Sequence, residues 1–211
     1  MEHHRRLEII PAAIVWTTFV LALVLSFLRP IWAIYFIIVF DLLWLFRVLY
    51  FITYLLIAWR RYRSAARRDW LAEVRTLPRF GEIRHFIFFP TYKEPYAVIE
   101  STLQSLLKSS YPHERITIVL GGEERDKENF ERIAERVREA FGTRFGELVF
   151  TIHPKDLPDE IPGKGANMSW MGREVKQRLD TAGILYENVI LSAFDVDTHV
   201  HPQYFAHLTY L

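Results

Sequence analysis

Two apolar runs at the start of the chain constrain it more than any other feature. Ile9 to Leu28 is interrupted only by Pro11 and a few Thr and Ser residues, and Ile31 to Trp59 is a second such run. Each reaches the roughly 20 apolar residues that a helix needs to cross a bilayer. Arg29-Pro30 between them reads as a tight turn, because proline starts a helix well and cannot continue one. Residues 1–59 are therefore expected to form a helical hairpin that crosses a membrane twice. A cleaved signal peptide fits less well: the first run is long, no small-x-small cleavage site follows it, and a second run comes at once.

Basic residues set the expected orientation. Arg5 and Arg6 precede the first run, and Arg60, Arg61, Arg63, Arg67 and Arg68 follow the second. Both flanks are then cytoplasmic, which makes this an integral, multi-pass membrane protein whose N-terminus and remaining chain lie in the cytoplasm. Trp59, Tyr62 and Trp70 suit the aromatic belt. Residues 60–82 read as a basic linker, with a helix over Arg60 to Leu77 lying on anionic lipid headgroups or solvated as a plain connector. Asp41 and Arg47 fall inside the second run. Six residues apart, they sit about 120° apart around a helix and do not pair cleanly. Intramembrane charges face protein or water, so both are expected to face further transmembrane helices, with snorkelling as the alternative.

The rest of the chain distributes its charges as a soluble domain does. The net charge of +1 gives no electrostatic case for a nucleic-acid partner. The absence of cysteine excludes disulfides, thiolate zinc sites and a thiol nucleophile.

From residue 83 onward, strand and helix patterns alternate. Short apolar runs at His85 to Phe89, Ile116 to Leu120, Leu148 to Ile152 and Val189 to Phe194 read as buried strands, the second ended by Gly121-Gly122. Helical periodicity fills Pro95 to Ser109, Glu124 to Phe141 and Gly165 to Leu179. A further helix starts near Pro202. This alternation argues for an α/β fold with a mainly parallel sheet covered on both faces, whose ligands bind at the carboxyl ends of the strands.

The polar residues at those ends carry the functional reading. Asp195 and Asp197 follow the fourth strand. Residues i and i+2 of an extended chain point the same way, so both carboxylates converge on one hard cation, Mg²⁺ or Mn²⁺, which usually completes its shell with phosphate oxygens. Gly163-Lys164-Gly165 lets a backbone approach a ligand and offers one cation, but it lacks the earlier glycine and the following Ser or Thr of a P-loop. Thr91 and Glu94, read alone, are helix-capping residues around Pro95. His153, His199, His201 and His207 invite a zinc reading. A better one makes His199 an extra ligand of the Asp197 cation or a partner of its ligands.

In this order the motifs resemble those of the family 2 inverting glycosyltransferases with the GT-A fold, and especially the membrane-integrated, cellulose synthase-like ones. Three segments over about residues 83–208 carry the resemblance: Pro90-Thr91-Tyr92-Lys93-Glu94, Gly163-Lys164-Gly165-Ala166-Asn167 and Phe194-Asp195-Val196-Asp197. The resemblance implies a nucleotide-sugar donor, with a UDP-sugar favoured, and a glycan or lipid-linked acceptor. Thr91, Tyr92 and Glu94 would contact the donor's nucleoside. Lys164 and Asn167 would line the pocket for its diphosphate or sugar. Asp195 would contact the ribose or the metal, and Asp197 would bind the metal. Residues 83–211 then correspond to the nucleotide-sugar half of a truncated GT-A domain.

Two departures qualify the match. The family usually carries Asp at the end of the second strand to read uracil, where this chain has Gly121-Gly122-Glu123-Glu124, so Glu123 is the substitute. The family's catalytic Asp and its later Gln-x-x-Arg-Trp segment are expected beyond Leu211, so no catalytic residue is assigned and this chain alone is expected to bind a donor without completing transfer. The alternatives are a non-catalytic membrane adaptor and, less favoured, a nucleotidyltransferase, whose glycine- and arginine-rich first loop is missing.

Overall fold

The computed structural model describes residues 2–158 and 160–211, with side chains described from Leu7 onward. The side chains of Arg5 and Arg6 lie outside the described residues. The chain divides into two units, Met1–Arg67 and Arg68–Leu211.

The first unit is two helices, α1 (Glu2–Leu28) and α2 (Pro30–Ala65), separated by Arg29 alone. Pro30 takes the first position of α2, where its missing N–H costs nothing. Both helices are long and apolar enough to cross a membrane. Most of their large apolar side chains point outward, with Trp16 70% and Phe27 81% exposed, Leu25 and Phe36 are half-buried, and Ala33 is the one buried residue described. The Thr18, Ser26 and Thr53 hydroxyls donate to the carbonyls of Ile14, Ala22 and Leu49, each at 2.8 Å. Their polar groups thus find partners within the helix, as an apolar surrounding requires. Asp41 and Arg47 are both exposed and unpaired with each other, and the Arg47 guanidinium lies 5.4 Å from the Trp44 ring centre. The basic stretch expected to form its own linker helix instead continues α2 as far as Ala65.

The second unit begins with a one-turn helix, α3 (Trp70–Val74). Four strands follow, β1 (Arg84–Pro90), β2 (Ile116–Glu123), β3 (Glu147–His153) and β4 (Val189–Ala193), alternating with α4 (Tyr96–Leu106), α5 (Lys127–Phe141) and α6 (Lys164–Ala182), and α7 (Tyr204–Tyr210) comes last. All pairs are parallel and the order is β3-β2-β1-β4. Phe86, Phe88, Val119 and Val149 face α6, where Met171, Val175 and Leu179 cover them. The alternate residues Ile87, Phe89, Ile118 and Leu120 are equally buried and point to the opposite face. Burial on both faces explains why β1 and β2 read as continuous apolar runs. The chain proceeds outward from β1 to β2 to β3 and then returns to place β4 on the other side of β1. That reversal opens a crevice at the carboxyl ends of β1 and β4.

Trp70, expected in an interfacial belt, is buried instead. Its ring stacks on His207 at 4.1 Å and leans on Tyr210 at 5.1 Å. Gln203 ties the same helix down, accepting from the Leu71 N–H and donating to the Asp69 carboxylate, both at 3.1 Å. Trp70 is therefore a core residue of the second unit.

His85 on β1 is fully buried, 2.8 Å from the Thr209 hydroxyl and edge-on to Tyr111 and Phe205. Burial pushes it down from 6.5 to about 4. The folded chain keeps His85 neutral down to that pH, whereas the unfolded chain takes up a proton below 6.5. Its contribution is thus lost as pH falls from 6.5 towards 4, with a slope approaching roughly 1.4 kcal/mol per pH unit. His85→Phe should flatten this part of the profile, read as the difference between variant and wild-type unfolding free energies at pH 7 and pH 4.5. Parallel profiles would refute the assignment.

Candidate functional site

A cleft of about 590 Å³ lies at the carboxyl ends of β1, β2 and β4. It is lined by Thr91, Tyr92 and Glu94 after β1, by Glu123 at the end of β2, by Lys164 and Asn167 at the start of α6, and by Asp195 and Asp197 after β4. These are the residues that sequence reasoning singled out, and the topology draws them together from four separate stretches of chain. Arg125 and Val98 also line it and were not anticipated. Arg125 sits in a charged segment, Glu123-Glu124-Arg125-Asp126, where nothing in the pattern distinguishes it from a solvated residue.

The loop after β1 is held tightly. The Thr91 N–H donates to the Gly121 carbonyl at 2.7 Å and the Thr91 hydroxyl reaches the same oxygen at 3.2 Å, which continues the β1–β2 ladder past Pro90. The Glu94 carboxylate accepts from the Tyr92 N–H, and the Lys93 N–H donates to Asp126 at 3.0 Å. Lys93 has φ 62, a left-handed conformation uncommon for a residue with a side chain. Glu94 thus closes its own turn and does not cap α4, which begins with no side-chain cap after Pro95. Tyr92 is left exposed at the cleft, with the Arg125 guanidinium 4.9 Å from its ring centre.

The second strand does not stop at Gly121-Gly122, as the sequence suggested, but runs through both to Glu123. The pair is there for space. A Cβ on Gly121 would meet the Met171 sulfur and the Asn167 carboxamide oxygen, and one on Gly122 would meet the Phe130 ring. Helices α6 and α5 therefore close directly on the β2 backbone. The Asn167 amide nitrogen donates to the Gly121 carbonyl at 2.9 Å, which fixes the start of α6 against the sheet. The glycines flanking Lys164 differ: a Cβ on Gly163 or Gly165 meets nothing. No described side chain caps the α6 N-terminus, whose free N–H groups favour an anion there.

The acidic pair departs from the extended geometry expected of it. Strand β4 ends at Ala193, and Phe194 adds one further ladder bond, its N–H donating to the Phe88 carbonyl at 2.9 Å. Asp195 to Thr198 is then a turn closed by the Thr198 N–H on the Asp195 carbonyl at 3.0 Å. Val196 in its middle is buried, and its carbonyl accepts from Thr102. The two carboxylates still line one cleft, but they do so from a turn and not from an extended strand. The Asp195 carboxylate pairs with the Lys164 ammonium. Among the described residues no group of three or more His, Asp or Glu side chains is placed to hold a metal by itself. A hard cation at Asp195 and Asp197 would take its remaining oxygens from ligand and water.

The histidines disperse. His199 lies 3.4 Å from the Ser101 hydroxyl and does not line the cleft, contrary to its expected place beside Asp197. His201 accepts from the Gln203 N–H, His207 stacks on Trp70, and His153 is buried against Glu123.

Gly121→Ala should lower the unfolding free energy by about 1–3 kcal/mol, since the added methyl meets packed groups of α6. Gly165→Ala, inside α6 with open space around it, should be neutral or stabilising by up to about 1 kcal/mol. Urea unfolding of both variants checks the pair, and equal effects would sink the account of why β2 carries glycines.

Compared with known proteins, the sequence matches no family model and no curated protein.

Proposed function

We propose that this chain carries the donor half of a metal-dependent inverting glycosyltransferase, anchored by a two-helix hairpin with its cleft on the cytoplasmic side. One observation carries the reading: all seven expected donor contacts and both expected metal ligands line a single cleft at the topological switch of a parallel sheet. Ligands of open α/β sheets bind at that place. The GT-A assignment rests on the same coincidence together with the order of the motifs.

The cleft's chemistry suits a nucleoside diphosphate. Tyr92 and Arg125 offer an exposed aromatic face and a cation at one side. Glu123 offers a buried acceptor at the floor. Lys164 and the uncapped start of α6 offer positive charge to a diphosphate. Asp195 and Asp197 are hard oxygen ligands that fit Mg²⁺ or Mn²⁺, and such an ion, when bound, would neutralise charge on the departing diphosphate. Lys164 would then move from Asp195 onto a phosphate oxygen. Inversion needs an acceptor hydroxyl attacking in line, and membrane anchoring keeps the cleft beside a lipid-linked or growing glycan acceptor.

One observation favours the non-catalytic alternative. Lys164 already neutralises Asp195 from within the chain, an arrangement that needs no external cation.

Calorimetric titration of the detergent-solubilised full chain with UDP and GDP, with and without Mn²⁺, separates the two. The transferase reading expects metal-dependent binding that Asp197→Ala weakens at least tenfold while the cooperative melt is retained. A folded chain that binds neither nucleotide would overturn it and leave the adaptor reading standing.

A further inference from the structure

Among the described residues, Lys93 at φ 62 and Asp156 at φ 60 are the non-glycine residues with a left-handed backbone. That conformation crowds a Cβ and persists where surrounding contacts hold it. At both places a contact comes from one short segment. The Asp126 carboxylate accepts from the Lys93 N–H at 3.0 Å, and the Glu124 carboxylate accepts at 2.8 Å from the N–H of Lys155, next to Asp156. Asp126 makes its contact in place of another. It stands at the N-cap of α5, where an aspartate ordinarily accepts from an N–H of the first helical turn, yet its side chain caps nothing there. The oxygen that holds Lys93 also accepts from the Asn129 side-chain amide at 3.0 Å, which fixes its direction. Inside the turn, Glu94 accepts from the Tyr92 N–H. Arg125, the chain neighbour of Asp126, has its guanidinium 4.9 Å from the Tyr92 ring centre, and the Lys93 ammonium is 5.1 Å from it. Residues 125 and 126 thus grip the ring of Tyr92 and the backbone that follows it. Tyr92 lines the cleft and Asp126 does not.

We propose that Asp126 is a positioning residue: it holds the left-handed turn at Lys93 and so fixes where Tyr92 presents its ring to the cleft. The inference rests on the nucleotide reading of the cleft, in which Tyr92 meets the nucleoside of the ligand. Without the carboxylate, the Lys93 N–H loses its protein acceptor and the turn relaxes towards the backbone that a lysine ordinarily takes. Tyr92, one residue away, moves with it. Lys164 and the start of α6 keep their place, because Asn167 fixes them to the Gly121 carbonyl. The loss is therefore confined to the part of a ligand that meets Tyr92.

The test compares wild type, Asp126→Ala and Asp126→Asn in the detergent-solubilised full chain. It reads thermal melts, amide hydrogen exchange over residues 91–94, and binding of UDP and inorganic pyrophosphate in Mn²⁺. Asn keeps an oxygen acceptor for the Lys93 N–H. Asp126→Ala should exchange about tenfold faster across the turn and bind UDP about tenfold more weakly, the scale of one lost hydrogen bond to a charged group. Pyrophosphate, which has nothing to meet Tyr92, should bind within about twofold of wild type, and Asp126→Asn should retain most of the UDP binding. Unchanged exchange over residues 91–94 in Asp126→Ala overturns the proposal, and so does unchanged UDP affinity. An equal fall for UDP and pyrophosphate with a lowered melting temperature also overturns it, and marks Asp126 as a structural residue of α5. A wild type that binds pyrophosphate as tightly as UDP denies Tyr92 a part in binding, and the proposal with it. A folded wild type that binds neither overturns the nucleotide reading itself.

Discussion

Strand β2 is buried along its whole length, and the arrangement of the second unit follows from how closely its neighbours approach it. Most buried strands keep helices at a distance set by their own side chains. Here Gly121 and Gly122 remove that spacing at the carboxyl end, so that Met171 and Asn167 of α6 settle on one face and Phe130 of α5 on the other. The consequence is positional. The start of α6 is drawn over the end of β2, which brings Lys164 within reach of Asp195 on the far side of β1. The strand also extends far enough to deliver Glu123 to the cleft floor beside His153. A side chain at either glycine would push a helix outward and open the cleft.

That dependence explains what the sequence disclosed and what it concealed. Strands buried on both faces announce themselves as unbroken apolar runs, and β1 and the first part of β2 were legible for that reason. The sheet class followed from alternation with helices, and the place of the cleft from the rule that ligands gather at strand ends. A glycine pair, by contrast, has the same local appearance whether it ends a strand or thins one, and only the helices above and below decide. Asp195 and Asp197 show a related limit. Two acids after an apolar strand were legible as cleft residues, but Val196 buries itself and bends the segment into a turn, and the pull of a single buried valine has no periodicity to reveal it. Trp70 and the pairing of His153 with Glu123 depend on contacts across roughly 137 and 30 residues of chain, which no local pattern encodes.

The electrostatics of the cleft are built from opposed charges in two layers. At the rim, Lys164 and Asp195 are largely exposed, and a pair of that kind contributes at most about 1 kcal/mol because water screens it. Such a contact is easily exchanged, which suits side chains that must release each other when a charged ligand arrives. At the floor, Glu123 and His153 are shielded, and breaking a buried pair by removing one partner is far more costly. The arrangement therefore couples a replaceable rim to a fixed floor.

The first unit obeys a different solvent. An ordinary soluble protein does not display an unbroken coat of Phe, Trp, Leu and Ile on two helices of this length, because contiguous apolar patches of that size associate or aggregate in water. Both helices are long and apolar enough to cross a membrane, where such a coat would be at rest, and the hydroxyls that turn inward on their own helix carbonyls suit the same surroundings. Asp41 does not. It lies 11 residues into α2, about 16 Å from Pro30, which is near the middle of a 30 Å hydrocarbon layer if the helix enters at that proline. A carboxylate at that depth costs about 2.5–3.5 kcal/mol on insertion scales. A charge at that depth is relieved either by facing protein or water or by snorkelling towards the headgroups, and the exposed Asp41 and the Arg47 guanidinium resting on Trp44 are compatible with both.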